Sequence, residues 1–375
     1  MSNYSITYVP GTLTINQKAL TITANNDSKT YGDVKTYGSG STAFTSSGLV
    51  NSETIGSVTI TDTNSGGVNT AAAGGTYALT PSLATGGTFS TSNYAITYVA
   101  GALTVNKATL TVTADNKTRV YGDANPTLTY SITGYVNSEN ATSAGITGAP
   151  TISTTATAAS NVNTYTITSA ANNLAAANYQ FTYTNGTLTV NRRPVTVTAD
   201  NKSRVYGDAN PTLTFTVAAD GTGTSRGMYN NQTLSGAVTT TAGSSTNVGD
   251  VSITQGTVTN ANNSNYDITY VAGSLAITAR PITLTATDRT KVYGDSLTLG
   301  TSAFTKTAGT YANSEVATAV TLTSANGYAA STTRGVGTNA NEVVASNATG
   351  TDGFLASNYD ITYVAGSLAI TARPI

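Results

Sequence analysis

The sequence has no cysteine, no histidine and no tryptophan, and only 9% of its 375 residues are charged. Without His or Cys, the commonest general base, the thiol nucleophile and the soft metal ligands are all missing, which excludes most enzyme classes. Charge at 9%, against about 25% in an ordinary domain, comes with a net charge of −1. No basic stripe exists to meet phosphate backbones, so no nucleic-acid partner is expected. No run of about 20 apolar residues is present, and no basic-then-apolar leader precedes the first repeat, so no membrane-spanning segment is expected. The lack of Cys leaves the redox compartment open, because a domain of this repeat length can bury enough surface without disulfides. Solubility therefore falls to neutral polar groups, and Thr supplies about a fifth of the chain. Thr is β-branched and suits a half-wet pleated surface.

What is present is repetition. The phrase Asn-Tyr-x-Ile/Phe-Thr-Tyr starts at Asn3, Asn93, Asn178, Asn265 and Asn358, in steps of 90, 85, 87 and 93 residues. Tyr-Gly-Asp keeps the same period at Tyr31, Tyr121, Tyr206 and Tyr293. A step of that size is too long for a solenoid turn and fits one small domain. The division read from the sequence is 1–17, the C-terminal hairpin of a truncated repeat; 18–106, 107–191, 192–279 and 280–372, repeats one to four; and 373–375, the start of another. Residues 357–375 are identical to residues 264–282, which points to internal duplication and to a natural protein longer than this chain.

Repeat two reads most cleanly. Thr109-Leu110-Thr111-Val112-Thr113-Ala114 alternates with period 2, and Leu128 to Ile132, Thr151 to Thr155, Thr164 to Thr168, Tyr179 to Tyr183 and Thr187 to Val190 follow as short strands between turn signals. Tyr135 to Thr142 could hold a helical turn capped by Asn137 or Ser138. About seven strands per repeat predict an all-β fold: a tandem array of small Ig-like β-sandwich domains, with a β-grasp-like topology as the alternative. The closing phrase reads as a hairpin in which Tyr8 faces Leu13 and Ile6 faces Ile15 across Pro10-Gly11, with Gly11 second in a type II turn. Links such as Asn106-Lys107-Ala108 are too short for a flexible tether, and Pro194, Pro281 and Pro374 stiffen others. An extended, semi-rigid rod is expected, at about 40 Å per repeat and about 160 Å for four.

No residue stands out as catalytic, cofactor-binding or metal-binding. Tyr-Gly-Asp reads as a strand end in which Gly permits the turn and Asp bonds nearby amides. Asp115 with Asp123, or Asp200 with Asp208, would admit a calcium ion if their loops met, but repeat one has Asn25 and repeat four Thr287 at the first position, and calcium wants six to eight oxygens. Lys29, Arg119, Arg204 and Lys291 share one column two residues before the Tyr. They read as snorkelling surface cations that pair with Glu53, Glu139 or Glu315 of Asn-Ser-Glu. No Lys recurs in every repeat at a core position, which argues against an internal Lys–Asn isopeptide. Repeat three has Asn230-Asn231-Gln232 in place of Asn-Ser-Glu, and an insert from Asp220 to Gly227 that reads as drift or as a grafted binding loop.

Residues 111–126 (TVTADNKTRVYGDANP) and 178–190 (NYQFTYTNGTLTV) resemble the MBG and YDG repeat domains of very large bacterial surface and secreted proteins, including filamentous-haemagglutinin-like adhesins. The resemblance covers essentially the whole chain. It implies an extracellular or cell-surface stalk and supplies no catalytic or ligand residues. The function expected is a structural fibre segment of an adhesin, not an enzyme, whose partners are its own neighbouring repeats and, by homotypic assembly, other chains. The rival is a module that binds host or matrix glycan or protein directly through exposed Tyr and Asn.

Overall fold

The computed structural model describes residues 3–375. Seven strands make up the first repeat: β1 (Lys18–Ala24), β2 (Asp27–Thr30), β3 (Phe44–Ser47), β4 (Ile55–Asp62), β5 (Thr76–Gly87), β6 (Tyr94–Val99) and β7 (Gly101–Asn106). They form two sheets, ordered β3-β1-β6 and β2-β7-β5-β4. The first and sixth strands pair in parallel, as do the second and seventh, and the other neighbours are antiparallel. The same two-sheet order recurs in the seven strands of each later repeat. The fold is thus all-β, a tandem series of seven-stranded sandwiches with Ig-like proportions and a strand order of their own.

Alternation explains the sandwich. In β1, Leu20, Ile22 and Ala24 are buried while Thr21 and Thr23 are half-buried on the other face. They meet Val58 and Ile60 of β4, Leu79 of β5 and Leu103 of β7 in one core. Each fully buried Leu or Ile contributes about 1.5–3 kcal/mol. No β-grasp helix is present among the described residues. The helical turn expected at Tyr135 to Thr142 is replaced by a turn in which Asn137 and Ser138 both have left-handed backbone, at φ 53° and 57°. Two successive residues at positive φ cannot begin a helix.

The expected closing hairpin is also corrected. β6 and β7 follow each other with only Ala100 between, yet lie in opposite sheets, β6 beside β1 and β7 between β2 and β5. The phrase is a corner that changes sheets. Strands on opposite sheets send their apolar residues into the same core, so period and register could not tell a corner from a hairpin. The Gly is required for another reason than a type II turn, since Gly101 is not at positive φ. A Cβ there would lie 2.5 Å from the Ala24 carbonyl oxygen and 2.7 Å from that of Asn25. Gly273 and Gly366 meet Ala199 O and Ala286 O at 2.6 and 2.5 Å in the same way. The next N–H then donates to a side chain of the facing turn: Ala102 to Asn26, Thr187 to Asn116 and Ser274 to Asn201, each at 2.8 Å, and Ser367 to Asp288 at 2.6 Å. Gly273→Ala, elsewhere a mild change, is expected to cost about 1–3 kcal/mol through crowding. Urea denaturation of the whole chain measures it.

In the first copy of the phrase, Tyr4, Tyr8, Leu13 and Ile15 are all at least 85% exposed, and among the described residues no strand forms before Lys18. Pairing of Tyr8 with Leu13 is therefore absent. Later copies dock against earlier strands of their own repeat, and residues 3–17 have none ahead of them. A lone pair of strands is marginal in water.

The chain divides into two compact units, one of residues up to 119, 124–158 and 163–190, the other of residues 120–123, 159–162 and 191–375. Among the described residues no helix is long and apolar enough to cross a membrane.

Candidate functional site: the clasp between repeated phrases

The repeated phrases meet one another. Each Tyr-Gly-Asp ends the second strand of its repeat in a four-residue turn, with Gly third at positive φ (96°, 87°, 87° and 91° in chain order) and the Asp N–H returning to the carbonyl three residues back at 3.0–3.1 Å. That is the type II requirement, so Gly is needed here for its backbone. The turn puts the Tyr ring at the end of the sandwich. Tyr31, Tyr121 and Tyr206 are 4%, 2% and 2% exposed, whereas Tyr293, which meets no turn of a following repeat in this chain, is 43% exposed.

The ring is received by the Asn-Ser-Glu turn. Asn51-Ser52, Asn137-Ser138, Asn230-Asn231 and Asn313-Ser314 all have φ between 49° and 64°, and the following Glu or Gln N–H closes the turn at 2.8–3.1 Å. This is a type I′ turn, and Asn and Ser tolerate its left-handed backbone better than branched residues do. It presents the fourth side chain outward, to two tyrosines.

In the first unit, Tyr31 Oη donates to Glu139 Oε1 at 2.6 Å and Tyr179 Oη to Glu139 Oε2 at 2.5 Å. Their rings meet edge-on, 5.4 Å apart. In the second unit, Tyr206 and Tyr359 divide the oxygens of Glu315 at 2.5 and 2.7 Å, with rings 5.8 Å apart. Tyr121 and Tyr266, also in the second unit, share the amide of Gln232: Tyr266 Oη donates to Oε1 at 2.6 Å, and Nε2 donates to Tyr121 Oη at 3.0 Å. Carboxylate acceptors give the shorter, stronger bonds. The second tyrosine of each clasp belongs to the Asn-Tyr phrase, and the Asn beside it works in the same place. Asn178 accepts the Ala73 N–H at 3.0 Å, Asn265 that of Val162 at 2.9 Å and Asn358 that of Val248 at 3.0 Å. Glu53, for which the described residues hold no Tyr-Gly-Asp of a preceding repeat, accepts from Tyr94 of its own repeat.

In repeats two to four the Asp of Tyr-Gly-Asp pairs with arginine, a partner the sequence reading missed. Arg280 Nε donates to Tyr206 O at 2.7 Å, and its Nη2 bonds Asp208. Arg373 repeats this on Tyr293 O and Asp295. Asp123 takes both Arg193, at 3.3 Å, and Arg226, at 3.1 Å. The insert of repeat three thus delivers Arg226 beside the amide clasp. The signal available was the recurrence of Arg-Pro at Arg193, Arg280 and Arg373.

The cation column is not on the surface. Lys29, Arg119, Arg204 and Lys291 are 4–7% exposed and bind backbone carbonyls, not Glu53, Glu139 or Glu315. Lys29 Nζ donates to Asp33 O at 3.0 Å and to Val68 O. Arg119 and Arg204 bond Asn125 and Asn210 at 2.8 Å, then Thr157 O and Gly243 O. Lys291 reaches the carbonyls of Tyr328, Ala329 and Ser331. A cation thus recurs at a core position in every repeat, as Lys or Arg. Its spacing of two from a buried Tyr placed it on the core face, and the hydrogen bonds it makes to loop carbonyls allow the charge to be buried. Burial draws the Lys29 amine below its usual range, against the pull of Asp33 and Asp62.

The Asp pairs considered for calcium are committed elsewhere. Asp115 accepts from Thr129 Oγ1 at 2.5 Å and Asp200 from Thr214, while Asp123 and Asp208 hold arginines. Among the described residues no three Asp or Glu side chains gather around a common point.

Burial first, and the neighbouring carboxylate second, raise the hydroxyl pKa values of Tyr31, Tyr179 and Tyr206, with Tyr179 pushed up to about 12. An unfolded chain releases these protons near the ordinary value of 10.0. The folded chain therefore holds more protons between pH 10 and about 12, and the stability contributed by the clasps, full below pH 10, is lost as pH rises through that window. Melting temperature followed by circular dichroism is expected to be flat from pH 8 to 9.5 and to fall steeply above 10.

The profile for the MBG domain (YGX type) matches residues 20–104, 110–189 and 195–276. A search of curated proteins returned no match. A crystal structure of Drosophila N-cadherin EC1-4 is similar over 94% of this chain and 100% of its own, at 10% sequence identity and a TM-score of 0.19, a likeness too loose to carry an argument.

Proposed function

We propose that this chain, which belongs to the family of MBG domains of the YGX type, is a non-enzymatic structural array: a stalk segment of a bacterial surface or secreted adhesin. Each repeat, divided at 18–106, 107–191, 192–279 and 280–372, is taken as a domain that docks on its neighbour. The clasp carries this reading. Glu139 lies 108 residues from Tyr31, and Glu315 109 from Tyr206, yet each joins the Tyr-Gly-Asp of one repeat to the Asn-Tyr phrase of the next. The most repeated residues are thus spent on holding repeats together, which is what a stalk needs and a set of independent binding modules does not. An extracellular or cell-surface location and assembly with further chains belong to the same proposal.

Small-angle scattering of the whole chain tests it. The stalk reading expects a monodisperse particle with a maximum dimension near about 160 Å, from about 40 Å of strand length per repeat. A dimension below about half of that would overturn the reading.

A further inference from the structure

Repeat one differs from the others at three positions that come together in space. Four residues before the Tyr of Tyr-Gly-Asp, repeats two to four carry a cation (Lys117, Lys202, Arg289), whereas repeat one carries Asp27. Four residues after it, repeats two and three have Asn125 and Asn210 and repeat four has Leu297, but repeat one has Lys35. Six residues after it, repeat four places Leu299, which is 8% exposed and closes the end of its sandwich, while repeat one places Tyr37. Repeats two and three pack Leu128 and Leu213 against their cores near the same turn.

In repeat one these changes make a built group. Lys35 Nζ meets Asp27 Oδ1 at 2.5 Å, and Tyr37 Oη donates to Asp27 Oδ2 at 2.9 Å. The Tyr37 ring borders two clefts. One, of about 310 Å³, has Asn25, Asn26 and Asp27 on its walls and Ile60 and Leu79 at its base. The other, of about 440 Å³, is bordered by Thr36, Thr59, Thr61 and Asp62. Asp27 and Lys35 each keep 36% of their side-chain surface in solvent, so both can still reach a ligand.

We infer that this end of repeat one is a binding site for a neutral saccharide. A sugar ring has apolar C–H faces and an edge of hydroxyls. The Tyr37 ring offers the first a surface, and Asp27, Lys35, Asn25 and Asn26 offer the second both donors and acceptors. The charges of Asp27 and Lys35 cancel, which favours a neutral sugar over an acidic one. The two volumes lie at the small end of the range for small-molecule sites, about 300–1,000 Å³, and suit one or two sugar rings. The site adds a binding role in one repeat and does not depend on the stalk reading.

The test is calorimetric titration of the whole chain with cellobiose, maltose, lactose and diacetylchitobiose, checked by saturation-transfer NMR. At least one is expected to bind with a Kd below about 10 mM. The double substitution Asp27→Lys, Tyr37→Leu installs residue types that other repeats already use there. It is expected to fold with an unchanged Tm and to weaken binding at least about tenfold, whereas Tyr37→Phe keeps the ring and most of the binding. Failure of all four sugars to bind, or equal binding by the folded double variant, would overturn the inference.

Discussion

Tyr206→Ala is expected to destabilise the second unit by about 3–5 kcal/mol, the usual cost of removing a buried ring. Tyr206 is 2% exposed, packs edge-on to Tyr359 and donates to Glu315. Its loss leaves Glu315, 3% exposed, with one hydroxyl donor where it had two. A buried carboxylate short of a partner costs more than a missing neutral bond. The same position supplies its own controls. Tyr206→Phe keeps the ring and is expected to lose about 1.5–3 kcal/mol, the range for a hydrogen bond to a charged group. Glu315→Gln is expected to be milder still, because Gln232 already serves two tyrosines in the same turn. At Tyr293, 43% exposed, the change to Ala is expected to cost less than about 1 kcal/mol. Urea denaturation of the four variants gives the order. Amide exchange locates it, with protection lost first around Ala312 and Tyr359, whose N–H to Oη bond depends on the clasp.

The second large effect is expected at Lys291. Its amine is the shared donor for the Tyr328, Ala329 and Ser331 carbonyls, in a loop held from the other side by Glu342, which accepts the Tyr328 N–H at 3.0 Å and the Asn326 Nδ2 at 2.9 Å. Lys291→Met retains the aliphatic stem but leaves these carbonyls without the cation. At about 1–3 kcal/mol for each buried group left unsatisfied, a loss of about 3–5 kcal/mol is expected. Lys291→Arg is expected to recover part of it, since Arg119 and Arg204 hold the same column. Thermal unfolding of the three proteins decides the matter. Equal melting temperatures for wild type and Lys291→Met would show that the loop needs no cation.

The period-2 alternation in Thr109 to Ala114 and its counterparts made the strands, their number and the sandwich legible, because burial of one face is a local property of sequence. The sheet-changing corner was not legible. Tyr98 and Leu103 reach one core whether their strands pair or oppose, and only the approach of Gly101 to Ala24 O separates the cases. The cation column carried its signal in plain sight, two residues from a core Tyr, but low charge and the nearby Asn-Ser-Glu made a surface ion pair the simpler reading. The clasp was hidden for a physical reason. Its partners lie more than 100 residues apart, and each half, read alone, is a competent turn: Gly32 at φ 96° and Asn137 at φ 53° both account for their motifs without a neighbour. Repetition of the two turns in step was the one sign that they belong together.

A double-mutant cycle between Tyr206→Phe and Glu315→Ala tests the central claim most directly, since it isolates the bond that joins one repeat to the next from the bond Glu315 makes to Tyr359. Measured by urea denaturation of the whole chain, a coupling energy of about 1–3 kcal/mol is predicted. Additive effects, with coupling within about 0.3 kcal/mol of zero, would contradict the account and return Tyr-Gly-Asp to the status of a simple strand end.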